Sequence, residues 1–320
     1  MSSLSSIPAS VPLPKRLAAW LDAIPHPAVG LEISESHVAA IRWPQHAVEP
    51  LPPGAAAPSP VELNLADPAA VGTAVRRVLE KVQGRGPDVA LLIPDQVVRV
   101  FLLHFDTLPR RSDEAIPLLR WRLKKSVPFD VEDTVVSYVV QPGPPGGAAG
   151  VEVLTAVARQ RVVRQYEEAV EAAGCKPGVV MSSTLATLSY FEDERPTLLA
   201  RLVGRTLTTV IVRGQSLCVY RCSEMPAAAD DLSPQALLEE IYPAVAYYQD
   251  TWRGNLDTVC LAGFGERFEE FRRAVEAELQ VNATRLTPSA TLGEPISGVA
   301  RATVDRYLEA LIGWTRNRGA

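Results

Sequence analysis

The densest cluster of chemically capable side chains is LLRWRLKKSVPFDVEDTVVSY, residues 118–138, where Arg120, Arg122, Lys124 and Lys125 crowd a short segment around Trp121. Leu119, Leu123 and Val127 recur at spacing four, so the segment reads as a helix with one apolar stripe and its cations mostly elsewhere. A cationic face of this kind does recognition chemistry, meeting acidic side chains or lipid headgroups. Pro128 lacks an N–H and disfavours helical backbone at Val127, so it is expected to end the helix and turn the chain through Phe129 and Asp130 into a strand.

Catalysis has no comparable support. The neighbouring carboxylates Glu239/Glu240 and Glu269/Glu270 fall on helical segments, where adjacent residues diverge around the axis rather than converge on a substrate. No nucleophile elbow, zinc-protease pair or Walker loop occurs. Cys218 and Cys222 in CVYRC share one face of an expected strand, but the four histidines lie far from them in sequence. The cysteines read as buried structural thiols, with no metal expected. A net charge of −5 argues against a nucleic-acid binder. No apolar run approaches the roughly 18 residues that span a bilayer, and the start lacks the pattern of an export signal, so a cytoplasmic protein is expected.

These side chains need elements to hold them. At 320 residues the chain exceeds what one core of about 250–300 residues fills, and two lobes are expected. Many of the 27 prolines gather at 44–60 and 142–147, which read as connections. PKRLAAWLDAI carries Leu17, Trp20, Leu21 and Ile24 at helical spacing. AVGLEISESHVAAIRW reads as strand, polar turn and strand. ADPAAVGTAVRRVLEKVQ is a helix capped by Asp67 with Pro68 at its first position. The apolar run DVALLI suits a buried strand; TVVSYVVQ and GVEVLTAVAR are further strands, and QRVVRQYEEAVEAAGC a helix. At 198 the pattern restarts: LLARLVGRTLTTVIVRGQSLCVYRC reads as three strands, followed by a helix from Ser233 and Pro234, the strand LDTVCLAG, the helix ERFEEFRRAVEAEL, a short strand and one last helix, VDRYLEALIGWTRNR. Two lobes that each open with a hairpin and then alternate point to a duplicated α/β architecture.

This order, with RWRLKKSVPF before acidic residues and a strand, VLTAVARQRVVRQYEEAVEAAGCKPGVV, LLEEIYPAVAYYQ and LAGFGERFEEF, resembles the PilM family of actin-like type IV pilus assembly proteins from about residue 28 to 312. The resemblance implies a two-lobed, actin-like, ribonuclease-H-like α/β fold with a small inserted partner-binding subdomain. The expected division is a leader over 1–27, a first lobe over 28–196 with the insertion around 98–145, and a second lobe over 197–320 whose nucleotide-closing subdomain is reduced to SEMPAAADDLSPQA. It also implies an ATP cleft, at which Glu32, Ser34 and Ser36 would form the first turn, Gly204 and Thr206 the second, and Gly263 and Gly265 the third. Each departs from the family pattern: Ser34 replaces a glycine, Leu202-Val203-Gly204 replaces the second Asp-Ile-Gly, and Phe264 stands where a purine or ribose needs space.

The function this implies is a cytoplasmic scaffold, associated with the inner membrane through its partners, of a type IV pilus or type II secretion-like platform. The partner is the cytoplasmic tail of a membrane-anchored PilN-like protein, contacted by Leu119, Trp121, Arg122, Lys125, Val127 and Phe129; the fold leaves room for self-association, and no nucleic acid is expected. The departures at the three turns make the cleft degenerate, with no cofactor and no catalytic residue expected. The alternative is a working actin-like ATPase whose ATP and magnesium occupancy regulates partner binding.

Overall fold

The computed structural model describes residues 27–82, 88–147, 149–191, 193–214, 216–292 and 298–316; the amphipathic segment at 15–24 lies outside them. In chain order the first half holds β1 (Val29–Ile33), β2 (His37–Arg42), β3 (Gln45–Pro50), α1 (Pro68–Lys81), β4 (Asp88–Ile93), β5 (Val98–Phe105), α2 (Ser112–Leu123), β6 (Thr134–Gln141), β7 (Val151–Arg159), α3 (Gln160–Glu171), β8 (Lys176–Ser182) and α4 (Ser183–Ala186). The second holds β9 (Thr197–Val203), β10 (Thr206–Arg213), β11 (Ser216–Glu224), α5 (Pro234–Trp252), β12 (Thr258–Ala262), α6 (Phe268–Leu279), β13 (Asn282–Arg285), α7 (Gly298–Tyr307) and α8 (Glu309–Arg316).

Two five-stranded sheets repeat one topology, β3-β2-β1-β4-β8 and β11-β10-β9-β12-β13: an antiparallel meander, then two parallel strands. Side chains alternate between the two faces, so the near-continuous apolar runs of these strands keep both faces dry. Val29, Leu31 and Ile33 of β1 pack against α1 and α3, whereas Ala39, Ile41, Ala90 and Leu92 face the C-terminal helices. In the second sheet Leu198, Ala200 and Leu202 pack under α5 and α6, and Leu199 and Val210 look the other way. The expected caps hold, with Asp67 accepting from the Ala70 N–H at 2.9 Å and Ser233 from the Ala236 N–H at 3.2 Å.

Four expectations change. The proline-rich stretch contains a strand, β3, because residues 45–50 complete the ladder on β2. The inserted sheet, in order β5-β7-β6, draws on β7 and so runs to Arg159 rather than to about 145. The last helix is two, α7 and α8, and both pack on the first sheet rather than within the second lobe: Leu308, Leu311, Ile312 and Trp314 are fully buried against Ala39, Ile41 and Leu92. Six consecutive residues of α8, Glu309 to Trp314, are buried, so it has no solvent-facing stripe. Gly313 permits this, since a Cβ there would stand 2.4 Å from the Ala186 carbonyl oxygen. Finally, a register shift between Ile211 and Val212 leaves Cys218 unpaired on β11, putting Cys218 in the core under α5 while Tyr220 packs on the opposite face.

Candidate functional site

The two sheets meet through the ends of β1 and β9, and a buried ionic network occupies that junction. Glu32 pairs with Ala39 across the first hairpin and Arg201 pairs with Thr208 across the second, each with six residues between the partners. Arg201, and not Leu202, therefore stands at the position equivalent to Glu32. Its guanidinium is buried, with Nη2 at 3.2 Å from Glu32 Oε1 and 3.1 Å from Glu309 Oε1, and Nη1 at 3.6 Å from Asp95 Oδ2. Arg201 Nε also donates to Glu309 at 3.1 Å.

Each carboxylate arrives from a different element. Glu32 is on β1, Asp95 opens the turn after β4, and Glu309 begins α8, so the break at Leu308 delivers it to Arg201. Asp95 is the best satisfied: it accepts from Ser182 Oγ and Thr184 Oγ1, from the Thr184 N–H at 2.9 Å, and from Thr208 Oγ1 of the other lobe at 2.8 Å. Glu32 Oε2 and Glu309 Oε2 are buried and have no hydrogen-bond partner among the described residues. Burial raises the pKa of Glu32 and of Glu309, and Arg201 opposes the rise in both. Burial would lower the pKa of Arg201, but Glu309, Glu32 and Asp95 more than reverse it, so the guanidinium stays charged.

The hydroxyl turn is occupied by its own backbone. Ser34 Oγ accepts from the N–H groups of His37 at 3.0 Å and Ser36 at 3.3 Å, donates to the His37 carbonyl at 2.9 Å, and meets His37 Nδ1 at 2.8 Å. Ser36 is exposed, its Oγ 3.2 Å from the same Nδ1. A shallow pocket of about 310 Å³, its open mouth included, brings together Glu32, Ser34, Glu35, Asp95, Arg201 and Thr206. Val203 and Thr206, on either side of the Gly204–Arg205 turn, line this pocket, whereas Gly204, Gly263 and Gly265 are not among its lining. Gly263 serves a close approach instead: a Cβ there would lie 1.8 Å from the Leu202 carbonyl oxygen. Phe264 does not fill the cleft; it is buried beneath α6 with its ring 4.7 Å from that of Phe271. The short connection after β11 is held by Arg267, whose Nη1 donates to the carbonyls of Ala229 and Asp230 at 2.9 Å and Leu232 at 2.7 Å.

The expected partner face divides in two. Ala115, Leu119 and Leu123 form the inner stripe of α2, and Val127 and Phe129 are half-buried in the small core around Leu123, Val131 and Val157. Leu119 therefore builds the face and cannot itself touch a partner. The outer ridge is Trp121, 71% exposed, with Arg122, Lys124 and Lys125 also exposed. Arg120 is turned inward, donating to the Thr134 carbonyl at 2.8 Å. Pro128 does not end the helix, which stops at Leu123 in tighter turns, the Ser126 N–H reaching the Leu123 carbonyl at 2.8 Å.

No protein-family model matches the chain. Among solved structures, a chain of a PilM–PilN type IV pilus biogenesis complex is similar with a TM-score of 0.74 at 19% identity, covering 91% of this chain and 98% of that one. The ethanolamine utilization protein EutJ of Carboxydothermus hydrogenoformans gives a TM-score of 0.51 at 9% identity, over 91% and 90% of the two chains. A Bacteroides thetaiotaomicron protein described as having an actin-like ATPase fold and unknown function gives 0.50 at 10% identity, over 91% and 96%. The fold is actin-like.

In this actin-like chain the junction of the lobes was missed by motif reading, because Arg201, Asp95 and Glu309 sit outside every glycine turn. The available signal was a lone Arg in the apolar run LLARLV. Removing it should strand three carboxylates: Arg201→Met is expected to lower stability in urea unfolding by about 3–5 kcal/mol. Adding Glu32→Gln and Glu309→Gln should restore much of the loss, and an unchanged midpoint for Arg201→Met alone would show that the network is not formed.

His37 gives a pH test of the same junction. It is buried with its ring 4.9 Å from Tyr307, and Nε2 has no hydrogen-bond partner among the described residues. Burial, partly opposed by Glu309 and reinforced by Arg201 and Arg306, lowers its pKa from 6.5 to about 4. Its stability contribution is thus full above pH 6.5 and lost as pH falls toward 4, by up to about 3 kcal/mol at 1.36 kcal/mol per pH unit. Glu32 and Glu309, with raised pKa values, act with the opposite sign, contributing below the ordinary carboxylate value and losing it as pH rises. The expected outcome is a difference curve: His37→Asn, relative to wild type, becomes progressively more stable from pH 6.5 to 4 in denaturant titrations.

Proposed function

We propose that this chain is a cytoplasmic scaffold of a type IV pilus or type II secretion-like assembly platform, held at the inner membrane by the cytoplasmic tail of a PilN-like protein. The observation that carries this reading is the whole-chain likeness to a chain of a PilM–PilN complex, which spans 98% of that chain. No helix among the described residues is long and apolar enough to cross a membrane.

The docking face is the ridge of Trp121 and Arg122 on α2 with Lys125 in the turn that follows it, floored by Leu119, Val127 and Phe129. A rigid aromatic on a packed helix presents contact area with little ordering cost, and the cations beside it favour an extended tail with acidic residues. The cleft plays no catalytic part in this reading. Phosphoryl transfer depends on metal and positioned charge, and the carboxylates at this junction already face a guanidinium.

A fluorescent peptide of the cytoplasmic tail of a PilN-like partner tests the docking claim by anisotropy. Arg122→Glu with Lys125→Glu is expected to weaken binding at least tenfold, and Trp121→Ala by a similar factor, with unchanged unfolding midpoints because all three side chains are solvent-facing. Equal affinity for wild type and both variants would remove this ridge as the docking face.

A further inference from the structure

Two features of the junction concern the space between the lobes rather than partner docking. The first is the Gly204–Arg205 turn of the second hairpin. Gly204 adopts a left-handed φ of +56°, and a Cβ built on it would lie 1.3 Å from Glu35 Oε1 and 2.2 Å from Glu35 Cδ. The Glu35 carboxylate, from the first hairpin, thus rests directly on this turn, where burial raises its pKa and the adjacent Arg205 backbone N–H and guanidinium oppose the rise. The Arg205 side chain is drawn off to β11, where Nε donates to the Met225 carbonyl at 3.1 Å and Nη2 lies 3.2 Å from Glu224 Oε1. What the turn presents to Glu35 is a glycine surface and a peptide N–H, the type of concavity that binds anions.

The second is Arg201, a buried cation with three carboxylates converging on it from β1, from the turn after β4 and from α8. In a site that held a metal-bound phosphate ligand, an anion would sit on such a turn and a cation would face such carboxylates. We infer that the groove between the lobes is filled by the chain's own ions: Glu35 takes the anion position on the Gly204–Arg205 turn, and Arg201 takes the cation position among Glu32, Asp95 and Glu309. The lobes are then clasped with no phosphate-bearing ligand between them. The first turn fits this description as well, because its Ser36 and His37 N–H groups are already bonded to Ser34 Oγ. A phosphate-bearing ligand would have to expel Glu35 from the turn and compete with Arg201 for the carboxylates. This inference stands apart from the docking ridge, and neither outcome below depends on Trp121.

A double-mutant cycle on the full chain, with Glu35→Ala and Gly204→Ala, tests it through urea unfolding midpoints. Gly204→Ala in the wild type should act twice, by displacing the Glu35 carboxylate and by forcing a side chain into left-handed backbone. In the Glu35→Ala background only the backbone effect remains, so the midpoint should fall by a clearly smaller amount. Additive midpoint shifts would overturn the inference. If Gly204→Ala does not fold, amide hydrogen exchange reads the same contact: the Arg205 N–H should exchange at least tenfold faster in Glu35→Ala than in wild type, and an unchanged rate would overturn it.

Discussion

Arg201, buried where the two lobes meet, is held by three carboxylates that reach it from separate elements. A guanidinium removed from water loses several kcal/mol of solvation, which only close carboxylates and other well-placed acceptors restore. Here the compensation comes from elements far apart in sequence: Glu32 of β1, Asp95 beyond β4, and Glu309 of α8, while Thr208 of β10 donates to Asp95 from the second lobe. The network can form only if both hairpins have their observed register, α8 returns to the first sheet, and the two lobes meet at their present angle. It specifies the arrangement more than it stabilises it, because an apolar replacement of a buried ion cluster is often no less stable.

The three carboxylates do unequal work. Asp95 has four hydrogen-bond donors from Ser182, Thr184 and Thr208 and serves as a polar rivet between the lobes. Glu32 and Glu309 share one cation, and among the described residues neither Oε2 has a hydrogen-bond partner; burial outweighs Arg201 and raises both pKa values. The glycines around this centre are defined by close approach rather than by a ligand. Gly263 lets the end of β12 touch Leu202, one residue beyond Arg201, and Gly313 lets α8 lie against Ala186.

Much of the fold was legible in the sequence because it is written in period and punctuation. The run DVALLI, the caps at Asp67 and Ser233, and the hairpin restart at 198 each matched a strand, helix or turn, and their order led to the actin-like architecture. What stayed hidden were properties of pairing and return. Residues 45–50 look like a proline-rich loop until β2 offers them a ladder. The break at Leu308 and the migration of α8 to the first sheet have no local signal, since a helix buried on all sides carries no stripe. At the site, Ser34, Glu32 and Thr206 were found at the junction, while Arg201 was overlooked because aligning Leu202-Val203-Gly204 with a glycine motif slips the hairpin by one residue. On α2, the spacing of Leu119 and Leu123 correctly marked one face, but that face is the inner one.

Calorimetric titration of the wild-type chain with ATP and magnesium measures most directly whether the groove between the lobes is already occupied by the protein itself. Clasping by Arg201 and Glu35 predicts no saturable heat of binding up to millimolar nucleotide. Saturable binding in the micromolar range would contradict it.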